Sequence, residues 1–246
     1  MSLKVLNVSK NYIVQEQIFK VVENVSFEAQ EGEFVALVGP SGCGKSTLVR
    51  VLIGLEEASG GHVEFEGDRL LAGDGRAAMI FQHFALFPWL TAYENIEFGL
   101  KMQGIKATKR KKIVDNLMHE VGLEEFANTH PKELSGGMKQ RVGIARALAI
   151  DPKLLFCDEP FSALDAFTAE TLRDDLLSVW RKRKMTVILV THLVEEAVEM
   201  ADKIVVFTPG PGRVEKIVEN KLSRPRDKRS KHFFEMVDMV TEFVKA

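Results

Sequence analysis

The chain has 246 residues, 46% of them hydrophobic and 28% charged, with a formal net charge of −2. That length admits one large domain or a domain carrying an inserted subdomain, and the apolar share suffices for a full core. The near-neutral balance argues against a dedicated nucleic-acid binder, which would carry a basic excess. No apolar run approaches the length of a bilayer span. Met1-Ser2-Leu3-Lys4 leads into polar sequence, so no secretory leader is expected. Cys43 and Cys157 have no metal-ligand spacing and are expected as reduced thiols.

Residues 3–75 read as β-rich, with short alternating runs such as 21–29 and 62–66 between glycines and charges. Phe34-Val35-Ala36-Leu37-Val38 is a continuous apolar run, the pattern of a strand buried on both faces of a parallel sheet. A glycine loop follows. Residues 46–55 then place Leu48, Val51, Leu52 and Leu55 at helical spacing before Ser59-Gly60-Gly61. Residues 84–149 read as mostly helical. Thr91-Ala92-Tyr93-Glu94 predicts a capping box. Lys109-Arg110-Lys111-Lys112 reads as the solvated face of a helix that continues through Ile113, Val114, Leu117, Met118 and Val121. From 154 the order is strand 154–158, helix 169–183, strand 186–191, helix 193–201 and strand 203–207. This alternation predicts an α/β fold with a mostly parallel sheet flanked by helices. Phe233, Val237, Val240 and Val244 mark a short amphipathic C-terminal helix.

Gly39-Pro40-Ser41-Gly42-Cys43-Gly44-Lys45-Ser46-Thr47 contains G-x-x-x-x-G-K-[ST], with a strand before it and a helix after. The glycines let backbone amides converge on phosphate oxygens, and the helix start adds its positive dipole end. Lys45 is expected to neutralise the β- and γ-phosphates, and the Ser46 hydroxyl to ligate Mg²⁺. Cys43, near Lys45 and a helix N-terminus, is expected to react faster with a thiol reagent than Cys157. Asp158 ends an apolar strand and is expected to hold Mg²⁺; Glu159 is placed to orient and polarise the attacking water. Gln82, after Met79-Ile80-Phe81, offers a neutral amide to both Mg²⁺ and that water. His192 follows strand 186–191 directly and can hydrogen-bond a γ-phosphate oxygen. Ser135 is an N-cap for the helix running through Val142 and Ile144 to Ala149, and Gly136 and Gly137 leave its first amides open to an anion. The phosphate loop already surrounds one face of a nucleotide. The second user is then ATP on another copy, which implies a two-fold, head-to-tail sandwich.

In this order the Walker A loop, Gln82, Leu134-Ser135-Gly136-Gly137, Asp158-Glu159, Ser162-Ala163-Leu164-Asp165 and His192 resemble the ATP-binding cassette (ABC) family of transporter ATPases, over nearly the whole chain. The resemblance implies a P-loop, RecA-like ATPase core with an N-terminal antiparallel β-subdomain and an inserted α-helical subdomain. Residues 1–83 would hold the β-subdomain and the first part of the core, 84–149 the helical subdomain, and 150–246 the rest of the core with the C-terminal helix. It implies that Tyr12 stacks on adenine, that Asp165 links the two sites of a homodimer, that His192 is the switch histidine, and that ATP and Mg²⁺ are bound.

Phe87-Pro88-Trp89-Leu90-Thr91, Met138, and the tail Pro209-Gly210-Pro211-Gly212-Arg213-Val214 with Arg224-Pro225-Arg226-Asp227 resemble the nitrate/sulfonate/taurine importer ATPases. The implied role is an ATP-hydrolysing energy-coupling subunit, peripheral at the cytoplasmic face of the cell membrane. It would serve transmembrane permease subunits and, indirectly, a solute-binding protein. The apolar segment 84–90 either receives a partner helix or packs inside the helical subdomain; both readings stand. The alternative is a soluble ABC ATPase of DNA repair or translation, which usually carries coiled-coil insertions or two cassettes. Glu159 argues against a binding module without turnover.

Overall fold

The computed structural model describes residues 2–245. In chain order it contains β1 (Leu3–Val14), β2 (Gln17–Ala29), β3 (Phe34–Val38), α1 (Lys45–Leu52), β4 (Gly60–Phe65), β5 (Ala77–Ile80), α2 (Ala92–Met102), α3 (Ala107–Glu120) and α4 (Gly136–Ala149). It continues with β6 (Leu154–Asp158), α5 (Ala166–Arg183), β7 (Thr186–Thr191), α6 (Val194–Met200), β8 (Lys203–Phe207), β9 (Val214–Glu219) and α7 (Lys231–Lys245). Two compact units result. One joins the chain up to Asp74 with the chain from Arg183 onward; the other is Gly75–Lys182.

In the first unit, β1 is the middle strand of an antiparallel sheet ordered β2-β1-β4. Leu3, Val5 and Val8 face the core. Their spacing slips by one residue because the register shifts between Val5 and Val8, where Asn7 sits at φ 51°. A bulge of this kind lets one strand carry an extra residue and still bury the same face. β2 begins at Gln17, ahead of the alternating run at 21–29. Gln15 and Glu16, at φ 48° and 66°, make the two-residue turn that joins it to β1. Such turns are normally signalled by Asn or Gly, so this one has no sequence mark.

The second sheet of this unit pairs β3 in parallel with β7 and β8. All five β3 residues are buried, as a strand covered on both faces requires. β9, which the sequence did not signal, adds antiparallel to β8. α1 stops at Leu52, short of the expected Leu55, because Ile53 caps it and Gly54 turns the chain at φ 80°. α6 is brief, and the tail supplies partners for its last carbonyls. Arg226, with its side chain 2% exposed, donates Nη1 to the carbonyls of Val198, Glu199 and Ala201 at 2.8, 3.1 and 2.7 Å. Arg224 Nη2 reaches the Met200 carbonyl at 2.6 Å. Helix C-termini leave four carbonyls without intrahelical partners, and basic side chains satisfy them well.

In the second unit, β5 and β6 run parallel, and α2 packs on both α3 and α4. The capping box forms as expected: Thr91 Oγ1 accepts from Glu94 N at 3.2 Å, and Thr91 N donates to Glu94 Oε2 at 2.9 Å. That backbone N–H holds the Glu94 carboxyl below its ordinary value. The basic run on α3 makes ion pairs, Arg110 with Glu97 at 2.8 Å and Lys111 with Asp115 at 2.6 Å. α5 starts at Ala166 rather than 169 because Asp165 caps it, accepting from Thr168 N at 3.0 Å and Thr168 Oγ1 at 2.7 Å. No helix among the described residues is long and apolar enough to cross a membrane.

Candidate functional site

In the first unit, Gly39 to Gly44 lead from β3 to α1, and Lys45, Ser46 and Thr47 open the helix. Val38 at the end of β3 pairs with Thr191 at the end of β7, so this loop and His192 leave the same edge of the sheet. Ligands of parallel α/β sheets bind outside that carboxyl edge. Gly44 sits at φ 98°, and a Cβ there would lie 2.8 Å from the Val21 carbonyl oxygen, so no other residue fits. The Lys45 ammonium, buried at 4% exposure, donates to the carbonyls of Gly39 and Pro40, both at 2.8 Å. His192 is exposed. Its neighbour Thr191 donates its hydroxyl to the Glu196 carboxylate at 2.5 Å and accepts from Leu193 N at 3.0 Å.

Cys43, expected to react faster than Cys157, is itself buried. Its side chain is 1% exposed, with the sulfur 3.6 Å from Lys45 Nζ. The turn between β8 and β9 lies against the backbone of this loop. Gly212 N donates to the Val21 carbonyl at 2.9 Å, and the Gly212 carbonyl accepts from Glu23 N at 2.9 Å. A Cβ on Gly212 would stand 2.1 Å from the Cys43 carbonyl oxygen. The Pro209-Gly210-Pro211-Gly212 run thus walls the phosphate loop, which its turn chemistry alone did not disclose. Cys157 is fully buried, and burial pushes its thiol far above the ordinary range.

Tyr12, on β1, donates its hydroxyl to the carboxylate of Glu56, just past α1. The Glu56 bond, then burial, raise the tyrosine's pKa. Lys10 Nζ lies 4.9 Å from the ring centroid and 3.4 Å from Glu56. No local pattern marks Glu56, because its partner is 44 residues away.

In the second unit, Ile80 of β5 pairs with Cys157 of β6, so Gln82 and Asp158-Glu159 leave one edge together. Gln82 Nε2 stands 3.4 Å from Glu159 Oε2 and 3.4 Å from Ser162 Oγ. Glu159 has φ 44°, and Ser162 Oγ donates to its carbonyl at 3.0 Å. A non-glycine residue in the left-handed region is costly and clusters at functional sites. Asp158 is 5% exposed.

Past Gln82, Phe84 and Ala85 also have positive φ, 61° and 46°. Arg146 of α4 donates to both carbonyls, at 3.1 and 2.6 Å, and burial pulls its pKa down. The apolar segment divides. Phe87 packs on Phe98 at 4.5 Å between centroids, while Trp89 is 70% exposed. Fully buried Asn95 pins the segment, accepting from Phe87 N at 2.8 Å and donating to the Leu90 and Thr91 carbonyls at 3.1 and 2.9 Å.

Ser135 caps α4 as expected, accepting from Met138 N at 3.3 Å. Ser135, Gly136 and Gly137 line one cleft with Asp165 and Phe126. The backbone N–H of Thr168 holds the Asp165 carboxyl below its ordinary value. The site residues therefore fall in two groups, Tyr12, the phosphate loop and His192 in one unit, and Gln82, the Ser135 helix start, Asp158, Glu159 and Asp165 in the other.

A family described as ABC transporter matches residues 22–162. An uncharacterized ABC transporter ATP-binding protein of Methanocaldococcus jannaschii is 42% identical over 243 residues, 99% of this chain and 91% of that protein. The aliphatic sulfonates import ATP-binding protein SsuB of Bacillus cereus is 43% identical over 236 residues, 96% of this chain and 93% of that protein. A solved dimeric post-hydrolysis state of an ATP-binding cassette bound to ADP and Pi superposes with a TM-score of 0.80. It is 34% identical and covers 89% of this chain and 99% of its own. This chain, with its P-loop core, antiparallel β-subdomain and helical subdomain, belongs to the ABC transporter family as an ATP-binding subunit, an ATPase coupled to transmembrane transport.

Proposed function

We propose that the chain is the energy-coupling subunit of an importer for nitrate, a sulfonate, taurine or a related small solute. ATP closes two copies head to tail, and hydrolysis reopens them. The subunit sits at the cytoplasmic face of the membrane against two permease subunits, which a solute-binding protein loads. The likeness to sulfonate import subunits supports the solute class. The exposed Trp89 supports a permease contact beside Gln82.

The observation that carries the dimer reading is that one chain holds two helix starts built for an anion. α1 begins behind the phosphate loop, and α4 begins behind the Ser135 cap with Gly136 and Gly137 in its first turn. The phosphate loop serves the chain's own ATP; the second start serves ATP held by another copy. Dimerisation of a related cassette supports this.

On this reading, residues 39–47 cradle the phosphates, and Lys45 exchanges the Gly39 and Pro40 carbonyls for the more negative β- and γ-oxygens. Tyr12 stacks on the adenine. Glu159 orients and polarises the lytic water, Gln82 adds its amide, and His192 hydrogen-bonds a γ-phosphate oxygen. Asp165 links the two sites. The Ser46 hydroxyl in one unit, and the Gln82 amide oxygen and Asp158 carboxylate in the other, would each offer Mg²⁺ the oxygen donor it prefers. The ion would neutralise phosphate charge there.

Glu159→Gln tests the reading. The amide keeps the shape and loses the charge that polarises water. Turnover should fall at least a hundredfold, about the contribution of a general base, while ATP binding persists. The variant should run as an ATP-dependent dimer in gel filtration. A wild-type rate would remove Glu159 from the chemistry, and a monomer with ATP bound would remove the shared site.

A further inference from the structure

Helix α4 begins at the Ser135 cap, and about three turns later Arg146 reaches the chain just beyond Gln82. There Phe84 and Ala85 stand at φ 61° and 46°. Side chains rarely adopt this region, and a bulky one least of all. Such backbone persists only where its surroundings hold it. Phe84 N and Ala85 N donate back to the Phe81 and His83 carbonyls at 3.3 and 2.6 Å, and one guanidinium holds the outgoing carbonyls: Nη2 donates to the Phe84 carbonyl at 3.1 Å and Nη1 to the Ala85 carbonyl at 2.6 Å. The planar fork of arginine suits two adjacent acceptors, which a lysine's single ammonium does not match. The same guanidinium lies 5.8 Å from the Phe87 ring centroid, and the Asn95 amide oxygen accepts from Phe87 N at 2.8 Å. Two residues before Phe84, the Gln82 amide meets Glu159 and Ser162.

We propose that Arg146 is a positioning residue for Gln82. It holds the Phe84–Ala85 carbonyls in a left-handed turn, keeps the Gln82 amide against Glu159, and ties that amide to the helix whose other end starts at Ser135. The inference rests on the role given above to Gln82 and Glu159. It adds a residue that never touches the nucleotide yet sets the rate of its hydrolysis. The helix that offers its N-terminus to another copy's ATP also anchors the amide beside this chain's own carboxylate.

The test is steady-state ATPase kinetics on the full chain. Arg146→Lys keeps the charge and loses the fork. Its kcat should fall about tenfold or more, the scale on which small misplacements of reacting groups act, with KM for ATP within about twofold of wild type. Ala85→Val attacks the same turn from its exposed side, because a β-branched residue resists positive φ. It leaves the guanidinium intact and should reproduce the kcat loss at unchanged KM, which keeps the inference testable if Arg146→Lys does not fold. Gln82→Ala should also lower kcat, and adding Arg146→Lys to it should change kcat by less than about twofold, as for residues acting through one group. Multiplicative losses in the double variant, or a KM effect in place of a kcat effect, would overturn the inference. If Gln82→Ala lowers kcat and Arg146→Lys does not, only the inference falls. If Gln82→Ala leaves kcat unchanged, the role given to Gln82 falls and the inference falls with it.

Discussion

Around the phosphate loop, a methyl group added at Gly44 or Gly212 would meet backbone oxygens at 2.8 or 2.1 Å. Around Gln82, the shape is kept by side chains instead, with Arg146, Ser162 and Asn95 each holding backbone groups of the chain near it. Backbone wedged against backbone has no low-cost rearrangement, because both partners are fixed by their own strands and helix. A side-chain hydrogen bond contributes only about 1 kcal/mol net and can be exchanged for another. The first region is thus a preformed cradle, intolerant of added volume. The second is a set of strained peptides held by clamps that can let go.

The comparison breaks most visibly at the wall of the cradle. Gly212→Ala should destabilise the protein by about 2–3 kcal/mol, as overpacking does, and weaken ATP binding at least tenfold. Thermal unfolding and nucleotide titration measure both. A silent substitution would mean that this wall is as yielding as the clamps. Tyr12→Ala comes next. Loss of a stacking platform contributes about 1–3 kcal/mol, so KM for ATP should rise about tenfold or more while kcat is nearly kept. A kcat effect there would show that the two regions are not separable.

Ser162→Ala removes one clamp and leaves the Glu159 carbonyl without that donor. The stability loss should be about 1 kcal/mol, with kcat down several-fold and KM unchanged. A KM change of similar size would contradict the contrast drawn between the regions.

The smallest expected effect concerns acid. Backbone N–H groups hold Glu94 and Asp165, both in the second unit, below their ordinary values. The stability these carboxylates contribute is present above the ordinary carboxylate range, near pH 4, and is lost as pH falls through their lower folded values. Glu94→Gln should therefore melt below wild type at neutral pH, and the two melting curves should converge under acid conditions. A gap that stays constant with pH would mean that the carboxylate charge does not stabilise this cap.

What could be read from the residues shares one property, short range. Phe34 to Val38 had to be a fully covered strand because nothing in the run tolerates water. The Thr91–Glu94 box and the Ser135 cap close within three residues, so the sequence contains both partners of each bond. The phosphate loop is equally local, a strand, a glycine turn and a helix start in one stretch. The same rules were silent on the turn at Gln15 and Glu16, whose residue types do not announce positive φ, and on β9, a mostly exposed strand that buries Val218 and pairs only once β8 is in place.

Only the tertiary structure decided that Cys43 is buried and that Gly212 packs against its backbone. It also decided that Glu56 holds Tyr12, that Arg226 ends α6, and that Arg146 carries the turn after Gln82. In each case the partner is distant in sequence, 61 residues for Arg146 and Ala85, and is usually a backbone group. A carbonyl looks the same at every position of a sequence. It acquires an identity as an acceptor only when the fold leaves it unpaired within reach of one particular donor.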